Sequence, residues 1–98
     1  MSNLYYTAPS DEMFEEVKIN AIMLWKEVDT DNNKYGYATE KINRIKDIGN
    51  VGDNFMYIVA LFDIGNQSLL ANELSSETRQ AIRERMIDGG QSEEYIVF

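Results

Sequence analysis

Asp29, Asp31, Asn33 and Glu40, in the stretch DTDNNKYGYATE, fall on positions one, three, five and twelve of a twelve-residue calcium loop. Oxygen donors at that spacing can wrap a hard cation. Two positions disagree. The sixth, which needs glycine for a sharp turn, is Lys34, a cation beside the supposed metal; the eighth, normally an aliphatic that pairs with a second loop, is Gly36. No second loop of this kind occurs in the chain. Asp and Asn also form turns by bonding their own backbone. The expectation is therefore a polar connection between two helices, with no metal site.

The other half of the same stretch, KYGYATEK, offers different chemistry. Lys34 and Lys41 alternate with Tyr35 and Tyr37 around Gly36, and Arg44 follows Lys41 by one helical turn. Cations hold phosphates, aromatic faces stack bases, and glycine lets a backbone come close. A Walker-type glycine loop and a GxGxxG fingerprint are both missing, so neither a standard nucleoside triphosphate site nor a dinucleotide cofactor is expected. The plainer alternative is a solvated helix face that balances acidic neighbours. Both stay open on the sequence.

Composition removes several function classes. The 98 residues contain no cysteine and no histidine, which excludes disulfides, thiolate catalysis, typical zinc sites and histidine acid–base chemistry. The Asp and Glu residues form no pair singled out by spacing or by an apolar setting, so no catalytic residue, no enzyme activity and no cofactor is expected. A net charge of −8 opposes binding to long nucleic acid, whose sequence-independent affinity comes from cations displacing counterions. That charge is uneven. Residues 1–33 hold seven carboxylates against Lys18 and Lys26, a net of −5, whereas Lys34, Lys41, Arg44 and Lys46 face only Glu40, a net of +3.

These residues need a scaffold, and apolar spacing predicts one. Ser10 can cap a first helix with Asp11 and Glu12 in its first turn; Phe14, Val17, Ala21, Leu24, Trp25 and Val28 then line one face to about residue 28. A second helix is expected over 38–48, with Ile42, Ile45 and Ile48 inward and Gly49 ending it. Asp53 can cap a third, NFMYIVALFDI, apolar on nearly every side and thus the buried centre. A buried strand over 55–62 is the alternative, but a lone strand has no ladder to join. QSLLANEL continues as a short helix, and Ser75 or Ser76 caps the last, which Gly89 and Gly90 end. The fold class is all-α: a small bundle of four to five short helices around a buried central helix. It forms a single helical domain over 1–90, with an acidic then apolar tail over 91–98. A domain this small often gains from association, so a homo-oligomer is expected. With neither a signal-peptide pattern nor an apolar run long enough to span a bilayer, the expected setting is cytoplasmic, away from membranes.

The segment YTAPSDEM, Tyr6 to Met13, resembles the tyrosine–x–alanine–proline lead-in to the first helix of small helical phage proteins that sequester cyclic nucleotide signals, the anti-CBASS sponges. TEKINRIK is similar to the start of that family's second helix, and MYIVALF matches loosely. The likeness covers about the first 62 residues. This chain departs from it in a longer, glycine-containing join between Lys46 and Met56 and in about 35 further C-terminal residues. The resemblance implies an oligomer of helical hairpins that binds cyclic oligonucleotides at subunit boundaries without catalysis. By that likeness Tyr6 would stack a base and Lys41 would hold a phosphate. Apart from it, Tyr6 reads as a hydrophobic staple ahead of the Ser10 cap.

Three non-enzymatic functions follow. The first is a viral counter-defence protein that sequesters a small anionic, cyclic nucleotide through Tyr6, Lys34, Tyr35, Tyr37, Lys41 and Arg44. The second is an acidic inhibitor whose carboxylate-rich first helix imitates the phosphates of nucleic acid and occupies a cationic site on a host enzyme. The third is a structural or adaptor oligomer that docks its apolar tail, YIVF, on a partner.

Overall fold

A computed structural model of the chain describes residues 10–32, 36–49, 54–62 and 66–96, the side chains of residues 28–32 and 95 excepted. Among these residues there are five α-helices and no strand: α1 (Asp11–Asn32), α2 (Tyr37–Asp47), α3 (Asn54–Ala60), α4 (Gln67–Glu73) and α5 (Ser76–Asp88). A single 3-10 turn, Glu93–Tyr95, follows. This is the expected small all-α bundle. The helix over 54–60 settles the helix-or-strand alternative: Phe55, Ile58, Val59 and Phe62 are buried at helical spacing.

The longest helix, α1, packs against each of the other four. Ser10 caps it as its position predicts, with Oγ accepting from the Met13 N–H at 3.1 Å. Phe14, Val17, Ala21 and Trp25 form its buried stripe. The helix outruns its expected end near residue 28 and continues to Asn32. Once a helix is nucleated, each further residue adds a backbone bond, and the poor propensity of Asp, Thr and Asn costs only tenths of a kcal/mol apiece. Positions one to four of the supposed calcium loop therefore run along a helix instead of curling round a common centre. Asn33 and Lys34 lie outside the described residues, as does Asp53, the expected cap of the third helix.

Gly36 starts α2 with φ of 72°, a left-handed conformation that a side chain resists, and the space around it is open. Here glycine serves the backbone turn. The other end differs from expectation: α2 stops at Asp47, and Ile48 itself turns extended, so Gly49 is not the terminator. Lys18 of α1 donates to the Ile48 carbonyl at 3.0 Å, placing a cation at the negative end of α2. In α3 the chain tightens after Ala60 into i→i+3 bonds, Leu61 N–H to the Ile58 carbonyl at 3.1 Å and Phe62 N–H to Val59 at 3.0 Å. Tyr57 and Ala60 face solvent, so α3 is buried on one side, and the element that meets every other helix is α1. In the tail, Ile96 is buried in its own chain and Arg83 holds Glu93 at 2.9 Å.

Glu16 fastens the two ends of the fold together. Its carboxylate accepts from the Ser75 N–H at 2.5 Å, from the Ser75 hydroxyl at 3.1 Å and from the Thr78 hydroxyl. Ser75 in turn caps α5, accepting from the Thr78 N–H at 3.3 Å. The buried Thr78 hydroxyl is thereby satisfied. Partial burial pushes the Glu16 carboxyl up, but the bonds from the Thr78 side chain, the Ser75 backbone and the Ser75 side chain outweigh it and hold it below the ordinary 4.5. A depressed carboxyl contributes stability above its unfolded pKa and loses it as pH falls through the folded value. Glu16→Gln is expected to cost about 1 kcal/mol at neutral pH. In urea titrations the gap between wild type and variant should close as pH drops from about 5 toward 2. A gap that is constant with pH would show that the charge is not what fastens α1 to α5.

Candidate functional site

The sequence-derived site divides into a half that the structure places and a half that it does not. Tyr6, Lys34 and Tyr35 lie outside the described residues. Tyr37, Lys41 and Arg44 all lie on α2, and its helical spacing brings the first two together: Lys41 Nζ stands 4.9 Å from the centre of the Tyr37 ring. Arg44, one turn further on, bonds Glu40 at 2.7 Å. Both partners are exposed, so the pair is weak and its arginine can be exchanged at little cost.

Tyr37 is 52% exposed, yet it is not loose. Its ring meets Trp25 edge-on, with centroids 5.6 Å apart and planes at 74°. Trp25, only 3% exposed, stacks on Phe62 with centroids 5.0 Å apart and planes at 30°. A row of three rings thus runs from the α2 surface into the core. Lys41 forms its outer end and Phe62 its inner end. The buried Trp25 indole N–H has no acceptor among the described residues, a cost that the packing of the two neighbouring rings must offset.

Trp25 also borders a small apolar cleft of about 90 Å³, lined by Leu24, Trp25, Phe62 and Leu69 with Glu27 and Asn66 at its polar edge. The spacing of Trp25 marks it as core, which it is, but spacing alone does not show that it braces an exposed tyrosine 12 positions later in the chain. One signal was available: Trp25 is the sole tryptophan, and a large ring with a polar edge often serves two environments.

Chemically, the α2 face presents an ammonium over a ring face, an exchangeable guanidinium and a braced phenol ring. That set suits binding of a planar, anionic ligand and includes no nucleophile–base pair. No family model, curated protein or solved structure matches the chain.

The inner and outer rings should separate energetically. Phe62→Ala is expected to cost about 3–5 kcal/mol, as deletion of a buried ring does, and Tyr37→Leu about 1 kcal/mol or less. Urea denaturation monitored by circular dichroism measures both. Equal losses would mean that Tyr37 belongs to the core and is not a surface platform.

Proposed function

We propose that the protein is a non-catalytic binding protein that sequesters a small anionic nucleotide on the α2 face. One observation carries this reading: Lys41 Nζ lies 4.9 Å from the centre of the exposed Tyr37 ring, which Trp25 braces from behind. The cation–π contact is worth about 0.5–1 kcal/mol at an exposed site. A phosphate offers Lys41 a charge-assisted bond worth about 1.5–3 kcal/mol. An arriving phosphate therefore draws the ammonium off the ring and frees an aromatic face for a base. Arg44 can add a second contact by leaving Glu40, at little cost because that pair is exposed.

Net charge selects for ligand size. At −8 the molecule repels a polyanion along its length, whereas two or three phosphates meet mainly the local cations of residues 34–46. The likeness to phage sponges makes a cyclic di- or trinucleotide the natural probe, and a viral counter-defence role the matching biology.

A second reading has its own support. Asp11, Glu12 and Glu15 are all exposed along the first turns of α1, where they could occupy a cationic site on a host enzyme. Native mass spectrometry of freshly purified protein separates the two by whether a nucleotide or a protein is retained.

Thermal-shift and calorimetric titration with cyclic di- and trinucleotides is expected to raise the melting temperature of the wild type. Lys41→Ala should weaken binding by about tenfold or more, near 1.4 kcal/mol, and leave the fold intact. If no nucleotide shifts the wild type, or if Lys41→Ala binds equally well, the α2 site is wrong and the inhibitor reading moves ahead.

A further inference from the structure

The four arginines of the chain are all described, and three of them meet carboxylates: Arg44 with Glu40 at 2.7 Å, Arg83 with Glu93 at 2.9 Å and Arg85 with Asp88 at 3.0 Å. Arg79 meets none among the described residues. Its guanidinium finds one acceptor there, the neutral Ser76 hydroxyl at 3.4 Å, and its Nε–H is buried with no partner among them. A guanidinium has five donors in a planar fork suited to an oxyanion, so most of this one's capacity is unused. Arg83 lies one helical turn beyond, on the same side of α5. The two arginines, with Ser76 and Gln80, line an open cavity of about 190 Å³.

A second cavity, about 460 Å³, adjoins the first through the shared Ser76 and Gln80. Met13 of α1 and the buried Ala81 contribute apolar surface to its wall, and Glu77 stands at its edge. One compartment is cationic. The next is apolar and carries a single carboxylate that repels a second negative group.

We propose that this double cavity binds a small amphiphilic oxyanion, a phosphate monoester or carboxylate whose charged head sits on Arg79 and Arg83 and whose apolar body lies over Met13 and Ala81. The positive end of α5 is already partly engaged within the fold. The N–H groups of Ser75 and Thr78 are taken by Glu16 and by the Ser75 hydroxyl. Recognition rests on side chains: the fork of Arg79, then Arg83, which can exchange the exposed Glu93 for a ligand oxygen. The site shares no residue with the α2 face.

Phenyl phosphate and inorganic phosphate are the probes, followed by calorimetry and by amide shift perturbation on the full chain. Phenyl phosphate is expected to bind more tightly than inorganic phosphate and to move the amides of Ser76–Arg83 together with Met13. Arg79→Gln breaks no ion pair, so it should keep the fold and weaken phenyl phosphate by about fivefold or more. Lys26→Ala, which removes an exposed α1 lysine outside both sites, should bind it as the wild type does. Shifts centred outside α5, or unchanged binding by Arg79→Gln, overturn the proposal. Equal affinity for the two phosphates removes its apolar half. Loss of binding in Lys41→Ala with retention in Arg79→Gln places the anion on α2, which overturns this site and supports the nucleotide reading instead.

Discussion

The first helix, with its buried stripe Phe14, Val17, Ala21 and Trp25, is the one against which all four other helices pack. The order of sizes in the stripe matters. The small Ala21 is fully buried between two large buried rings, Phe14 and Trp25. Because α1 is the common support, the partners of its flanking residues set where the remaining helices lie. Lys18 holds the end of α2 on one flank, and Glu16 holds the start of α5 on another. Two oppositely charged residues two positions apart thus fix two separate helix ends, each by matching the dipole it meets.

Charge is used in three ways on this small surface. Glu16 is drawn into the fold and fully engaged. Arg44, Arg83 and Arg85 are tied to nearby carboxylates, which limits their contribution to binding until something better arrives. Among the described residues, Lys41 is held by a ring face and Arg79 by a neutral hydroxyl. Neither of these two cations would have to break an ion pair on meeting an anion.

Much of the architecture was legible because helical periodicity and capping are local. The Ser10 cap, the five helices and the inward Ile42 and Ile45 of α2 follow from spacing and from residue type, which also narrow the cap of α5 to Ser75 or Ser76. The run DTDNN misled because turn propensity is weak beside the cooperativity of a helix already under way. The reach of NFMYIVALFDI was overestimated because hydropathy does not say which apolar side chains the neighbouring helices will cover; Tyr57 and Ala60 remain outside. Of the candidate site, the Tyr37–Lys41 contact could be read from a four-residue interval. The Trp25 brace and the Glu16 latch depend on how distant segments meet, and composition does not encode that directly.

The bond from Ser75 to Glu16 joins residues 59 positions apart, whereas α1 and α2 are consecutive helices joined by a short connection. Closing the shorter loop loses less chain entropy, so the α1–α2 hairpin should assemble early and α5 should dock after the rate-limiting barrier. The latch would then govern how long the native molecule lasts more than how fast it forms. Weakening it should steepen escape from the folded state and leave the refolding limb of a chevron nearly unmoved, the opposite of what damage to the hairpin would do. An equal effect on both limbs would place α5 docking inside the folding nucleus.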